Sequence, residues 1–201
     1  MSENMTDNNK TTGIIMVGVG GQGILLASAI IANAAMLSGY QVKTNEVHGM
    51  AQRGGSVSGQ IRYGHEVHSP LVAVGTASVI GSLEHVEALR MAPFLAPNGL
   101  CVVNAQEVIP VTVSMGAAAY PEDTHERLTR VFSNLIEFDA AAIAAANGSV
   151  RAANVALLGA MSTGLDLTEE AWHEAIAKCV KPKFVDINLK VFAAGRDYKK
   201  A

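Results

Sequence analysis

Ile14-Ile15-Met16-Val17 runs straight into Gly18-Val19-Gly20-Gly21-Gln22-Gly23, and no other stretch limits the fold so severely. An unbroken apolar run of this kind is the pattern of a strand buried on both faces, typical of a parallel sheet covered by helices. The glycines that follow allow a sharp strand-to-helix turn. From Ile24 to Leu37 the chain is rich in Leu, Ile and Ala and apolar nearly all round, stopping at Ser38-Gly39. This predicts a helix buried on most sides and ended by a glycine.

Further strands are expected at Gln41 to Glu46, Val57 to Tyr63, Leu71 to Val74, Leu100 to Asn104 and Leu135 to Asp139, with a helical pattern over Glu84 to Leu95. His48 to Ser58 has no hydrophobic period and is expected to be a loop or irregular connection. After Ala140 the chain reads as helices: Ala140 to Ala146, Asn154 to Thr163, Thr168 to Val180 and Phe184 to Ala194. The alternation defines an α/β fold with a mostly parallel sheet and a helical C-terminal region. Met1 to Thr12, rich in Asn, Thr and Ser, is expected to be a flexible tail. The 201-residue length leaves room for one domain, from residue 13 to 201, and none for a separate substrate domain.

Charge narrows the function classes. A formal charge of -3, with neither sign gathered into runs, lacks the footprint of a nucleic-acid binder. Hydrophobic residues make up 49% and charged ones 16%, against roughly 25% charged in an average soluble protein. Part of the outside is therefore expected to meet another subunit. No apolar run is long enough for a membrane span and the first twelve residues hold no apolar signal core, which predicts a cytoplasmic protein. Cys101 and Cys179 lack any paired spacing, so they read as reduced structural thiols and cannot supply a zinc ribbon or a four-cysteine cluster. Asn147-Gly148-Ser149 reads as a helix-ending turn.

Two motifs carry chemistry. Gly18, Gly20 and Gly23 satisfy GxGxxG after a strand and before a helix, and Glu46 follows about twenty residues on, near where a nicotinamide enzyme places its ribose-binding carboxylate. A small NAD(P)-binding oxidoreductase is one reading; glycines that only permit a tight turn are the other. No His or Tyr paired with a Lys suggests hydride transfer. The second motif, Glu46-Val47-His48-Gly49-Met50-Ala51-Gln52-Arg53-Gly54-Gly55-Ser56, concentrates ionisable and flexible residues in a charge-poor chain. Arg53 beside two glycines offers a planar fork to a carboxylate or phosphate, and His48 adds an imidazole able to donate or accept a hydrogen bond. Glu46 pairing with Arg53 to hold the loop shut is the alternative. His65 and His68 flank a turn without a third ligand, which argues against zinc. His85, His125 and His173 are expected to be exposed, and Trp172 to be core or interface. No G-x-S-x-G elbow supports a hydrolase.

Taken together, GVGGQGILLAS at Gly18 to Ser28, NEVHGMAQRGGSV at Asn45 to Val57 and KPKFVDINLKVFAAG at Lys181 to Gly195 resemble the gamma-type domain of the 2-oxoacid:ferredoxin oxidoreductases. The EVHGMAQRGG form is most similar to the stand-alone beta subunit of the indolepyruvate branch. The resemblance implies a three-layer α/β/α Rossmann-like domain in a multi-subunit enzyme that decarboxylates a 2-oxoacid, transfers the acyl group to coenzyme A and reduces ferredoxin. In that family a GDG segment marks the thiamine pyrophosphate site with its Mg ion, and this sequence has no Gly-Asp pair. The resemblance therefore assigns thiamine pyrophosphate, Mg and the 4Fe-4S clusters to a larger partner subunit, with ferredoxin reached through the complex. It implies no cofactor on this chain alone, and self-association when the chain is isolated. Its expected role is to complete the active-site wall or the coenzyme A channel. The residues concerned are Gly18, Gly20, Gly21, Gln22, Gly23, Glu46, His48, Gly49, Met50, Gln52, Arg53, Gly54 and Gly55, with His48 and Arg53 the catalytic candidates. A non-enzymatic assembly module on the same fold is a third reading.

Overall fold

The computed structural model describes residues 11–49, 54–108 and 120–198. Six strands form one sheet: β1 (Thr12–Val19), β2 (Gln41–His48), β3 (Ser56–Gly64), β4 (Ala77–Ser82), β5 (Leu95–Asn104) and β6 (Leu135–Phe138). Their order is β2-β3-β1-β4-β5-β6. β1, β4, β5 and β6 pair in parallel, while β3 runs antiparallel between β1 and β2. The sheet is thus mostly parallel with an antiparallel flank.

The apolar run behaves as its pattern requires. Ile14 and Met16 enter one core and Ile15 and Val17 the other, because successive strand side chains point to opposite faces. On the first face lie α1 (Ile24–Leu37), α4 (Ala140–Ala146), α5 (Ala153–Ser162), α6 (Glu169–Cys179) and α7 (Val185–Arg196); on the second lie α2 (His85–Met91) and α3 (Thr124–Val131). The three-layer architecture is therefore lopsided, with a deep helical layer on one side and a thin one on the other.

Small residues set the closest contacts in the deep layer. A Cβ on Gly195 would run into the Ala156 carbonyl, and one on Gly159 into the Phe192 carbonyl, so α5 and α7 touch backbone to backbone. Trp172 is fully buried, its ring 5.6 Å from that of Phe192. α6 starts on Thr168, whose hydroxyl accepts from Ala171 N at 3.2 Å, and Gly148 ends α4 with φ 103°.

Three expectations need correction. Leu71 to Val74 is not a strand: Pro70 brings no amide hydrogen, Leu71 and Val74 are exposed, and the segment turns at Gly75 with Thr76 N donating to Ala73 O. The fourth strand is Ala77–Ser82 instead. His85 is buried rather than exposed, its Nε2 2.9 Å from Glu137 Oε1 and its Nδ1 3.2 Å from Thr124 Oγ1. The helical pattern over Glu84 to Leu95 resolves into α2 and a short 3-10 turn, Ala92–Phe94, after which Leu95 opens β5. Both cysteines are free, and burial pushes the thiol pKa of each upward. Among the described residues, no helix is long and apolar enough to cross a membrane.

Candidate functional site

β1 leads towards α1 while β4 leads towards α2, so the strand order reverses between them, and crevices of this kind bind ligands in open α/β sheets. Here Gln22 fills the crevice. Its Oε1 accepts from Val19 N at 2.7 Å and its Nε2 donates to Leu83 O at 2.9 Å. A Cβ at Gly18 would lie 2.6 Å from that Oε1, which explains the first glycine without a ligand. Gly23, at φ 84°, caps α1, and a side chain there would strike Asn154, whose Nδ2 donates to Gly23 O at 3.1 Å. Asn154 Oδ1 is buried with no partner among the described residues.

The open space lies on the α1 side of the sheet. A cleft of about 400 Å³ is lined by Gly20, Gly21, Gly23, Leu26, His48 and Val57 among others. His48 enters because it pairs with Val57, which in turn pairs with Gly18; antiparallel partners share a face, so the end of β2 and the glycine turn stand level. The connection from Gly49 to Gly55 is held at its base. Gly49 N donates to Ser56 O at 2.9 Å, Gly20 N to Gly55 O at 2.8 Å, and Ser56 Oγ to Glu87 Oε2 at 2.6 Å. Arg90 clamps Glu87 with contacts of 2.8 and 2.9 Å.

Gly18, Gly20, Gly21, Gln22, Gly23, His48, Gly49, Gly54 and Gly55 are thus gathered around one turn, although Gln22 is spent on closing the crevice. Met50, Gln52 and Arg53 lie outside the described residues, so the Glu46–Arg53 pairing falls there too. Glu46 stands apart. It pairs with Gly59, which pairs with Met16, two residues back from the glycine turn. Because β3 separates β2 from β1, Glu46 sits two strand spacings away, roughly 9–10 Å. In a dinucleotide fold the two strands are direct neighbours, so the ribose-binding arrangement is not formed. Glu46 Oε2 lies instead 3.9 Å from His48 Nε2.

Leu26 also lines a second hollow, of about 530 Å³, with Arg151, Lys181, Phe184 and Ile187. Lys181 and Phe184 belong to the KPKF segment, so the first and third sequence blocks meet across Leu26. Exposed Leu25 lines the first opening and exposed Phe184 the second, and exposed Val150 lies next to Arg151 of the second in sequence. Asn154 and Glu87 are site-building residues not singled out from the sequence, and Ser56 figures there only as the end of the second motif. A lone Asn in the apolar ANVALLGAMS helix was the available signal for the first; the Ser56–Glu87 contact left none.

The chain belongs to the family described as pyruvate ferredoxin/flavodoxin oxidoreductase, whose profile matches residues 13–198. It is 45% identical to the indolepyruvate oxidoreductase subunit IorB of Archaeoglobus fulgidus, over 90% of this chain and 92% of that protein. It is 42% identical to the IorB subunit of Thermococcus kodakarensis, over 92% and 95% respectively. Among solved structures, the 2-oxoglutarate:ferredoxin oxidoreductase of Magnetococcus marinus, determined with 2-oxoglutarate, coenzyme A and succinyl-CoA bound, has the same fold. The match has a TM-score of 0.67 at 20% identity and covers 96% of this chain and 32% of that one.

The groups that the family's chemistry requires do not fit these residues. Among the described residues no three His, Cys, Asp or Glu side chains gather to hold a metal. Cys101 is buried in the sheet and Cys179 ends α6, so they cannot share a cluster with each other and two further ligands.

Proposed function

We propose that this chain is the non-cofactor-carrying subunit of a thiamine-dependent 2-oxoacid:ferredoxin oxidoreductase acting on indolepyruvate or another arylpyruvate. The complex oxidatively decarboxylates the 2-oxoacid, passes the acyl group to coenzyme A and delivers the electrons to ferredoxin. Residues 13–201 form its single domain, and it works in the cytoplasm. A larger subunit carries thiamine pyrophosphate, Mg and the 4Fe-4S clusters, a reading supported by the lack of any Gly-Asp pair and by only two, widely separated cysteines in this sequence.

The observation that carries this reading is the cleft at Gly20, Gly21, Gly23 and His48, beside a connection tied down at Gly49, Gly55 and Ser56 and with exposed Leu25 in its lining. The exposed apolar side chains of Leu25, Val150 and Phe184 favour a protein partner as its cover. Within the complex, the glycine turn, His48 and the Gly49–Gly55 connection, with Met50, Gln52, Arg53 and Gly54, wall the substrate site or the coenzyme A channel. Arg151 and Lys181 in the adjoining hollow suit the phosphates of coenzyme A, with Phe184 and Ile187 beside its apolar parts. The substrate names of the IorB relatives support the arylpyruvate preference.

The test is purification from the native cell followed by native mass spectrometry and assay. A larger thiamine-containing polypeptide should travel with the chain, and the pair should reduce ferredoxin with indolepyruvate and coenzyme A. The partner should raise the chain's melting temperature in a concentration-dependent way, as mass action requires. A monomer with no reproducible partner and a partner-independent melting temperature would refute the assignment.

A further inference from the structure

At the opposite end of the sheet from the glycine turn, a second polar feature stands clear of the cleft and of the Lys181 block. A cavity of about 570 Å³ opens among Tyr40, Tyr63, His65, Ser78, Asn98 and Asp166, where the parallel strands begin. The size falls within the usual range of small-ligand sites. Three aromatic rings wall it: Tyr40 and Tyr63 lie 5.1 Å apart between centroids, and Tyr40 and His65 5.6 Å at an edge-on angle.

The carboxylate of Asp166 provides the charge. Tyr63 OH donates to its Oδ1, and Tyr40 OH reaches its Oδ2 at 3.4 Å. Each carboxylate oxygen has capacity beyond one such contact, so a donor fork still finds acceptors there. Among the described residues no Lys, Arg or His nitrogen lies within ion-pair distance of Asp166; its neighbour in sequence, Glu169, takes both His173 and Arg196. The aspartate's charge raises the Tyr40 phenol pKa above its ordinary value, as expected where an anion has no cation beside it.

We propose that this cavity binds a guanidinium group, its planar fork on Asp166 and its face against Tyr40. A carboxylate with both oxygens available matches two parallel N–H donors, and half-buried Tyr40 and exposed His65 present ring faces or edges beside it. Ser78 and Asn98 supply acceptors for the remaining guanidinium hydrogens. The guanidinium belongs either to a free small molecule or to an arginine of a bound protein; the chemistry at Asp166 is the same in both cases. This site is separate from the proposed active-site wall and does not depend on it.

The experiment titrates the full chain with N-acetyl-arginine methylamide, followed by heteronuclear NMR, with the citrulline analogue as a neutral isostere. Saturable shifts at Tyr40, Gly64, His65 and Gly164 are expected for the arginine probe. Asp166→Asn, which keeps the acceptor for Tyr63, and Tyr40→Leu should each weaken binding about tenfold at unchanged melting temperature. Repeating the titration on the assembled complex separates the sources: an arginine of the partner closes the cavity to the probe and makes assembly sensitive to Asp166→Asn, whereas a free ligand leaves it open. No saturable response in the isolated chain, equal binding of the citrulline analogue, or unchanged binding in a folded Asp166→Asn variant would each overturn the proposal.

Discussion

Gln22 Nε2 donates to the Leu83 carbonyl at 2.9 Å, joining the turn after β1 to the end of β4. The same amide accepts from Val19 N through Oε1. One side chain thus satisfies two main-chain groups at the point where a nucleotide phosphate would otherwise approach. Gln22→Leu keeps the bulk but removes both bonds, so unfolding free energy should fall by about 2 kcal/mol, measured by urea denaturation. A change under a few tenths would mean that water replaces the amide without cost.

The same plug, with β3 interposed between β1 and β2, predicts that the purified chain binds no nicotinamide dinucleotide. Calorimetry with NAD and NADP should show no saturable heat. Micromolar binding abolished by Glu46→Ala would restore the dehydrogenase reading and displace the subunit assignment.

The backbone contact between α5 and α7 is equally exposed to test. Gly195→Ala puts a methyl group into the Ala156 carbonyl, and two packed helices cannot yield without losing the neighbouring Phe192 and Trp172 contacts. The variant should lose about 3 kcal/mol or more, or fail to accumulate as folded protein. Ala194→Gly, one residue away, should cost only about 1 kcal/mol, the helix-propensity difference.

Alkaline pH should destabilise the fold through Cys101. Burial, reinforced by Glu137, raises its folded pKa above the reference value of 9.0. The thiol is then neutral when folded but ionises in the unfolded chain, so its contribution is intact below pH 9 and is lost as pH rises further. Over that range stability should fall with a slope approaching about 1.4 kcal/mol per pH unit from this group. Cys101→Val should flatten the slope between pH 9 and 11; an unaltered slope would assign the loss to Tyr63 and Tyr120, whose phenols are also raised.

Arg53→Ala in a reconstituted complex should leave this subunit's melting temperature unchanged and cut turnover at least about tenfold, equivalent to roughly 1.4 kcal/mol, through one lost charge-assisted contact. Arg53→Lys should recover only part, since an ammonium cannot present a bidentate fork. Full turnover in Arg53→Ala would reduce the connection to a structural link.

Where side chains alone decide, the sequence was readable. The run Ile14 to Val17 and the helix Ile24–Leu37 sit where apolar continuity and glycine punctuation put them, and Trp172 is core. β4 escaped notice because Ala77, Ser78, Gly81 and Ser82 are too small to signal a strand. At Gly81 the reason is long-range: a side chain there would collide with Met161 of α5, a partner far along the chain. α3 was hidden for the opposite reason: its polar surface leaves mainly Thr124 and Leu128 buried. Leu71 and Val74 imitated a strand while facing solvent. At the site, the glycine turn and His48 were legible, but the interposition of β3 was not, since strand order is a long-range property. That order is what removes Glu46 from a nucleotide role.

The bond from Asn154 to the Gly23 carbonyl joins positions 131 residues apart. On a ribosome releasing the chain from its N-terminus, β1, the turn and α1 emerge long before α5 does. The turn therefore waits without its clamp through most of synthesis, and its final geometry arrives with one of the last helices to leave. A fragment ending before Ala153 would carry every glycine of the motif and still lack the side chain that holds Gly23 in place. Maturation of this cleft is in that sense a late event in the life of the polypeptide, gated by the half of the sequence that contains none of its lining glycines.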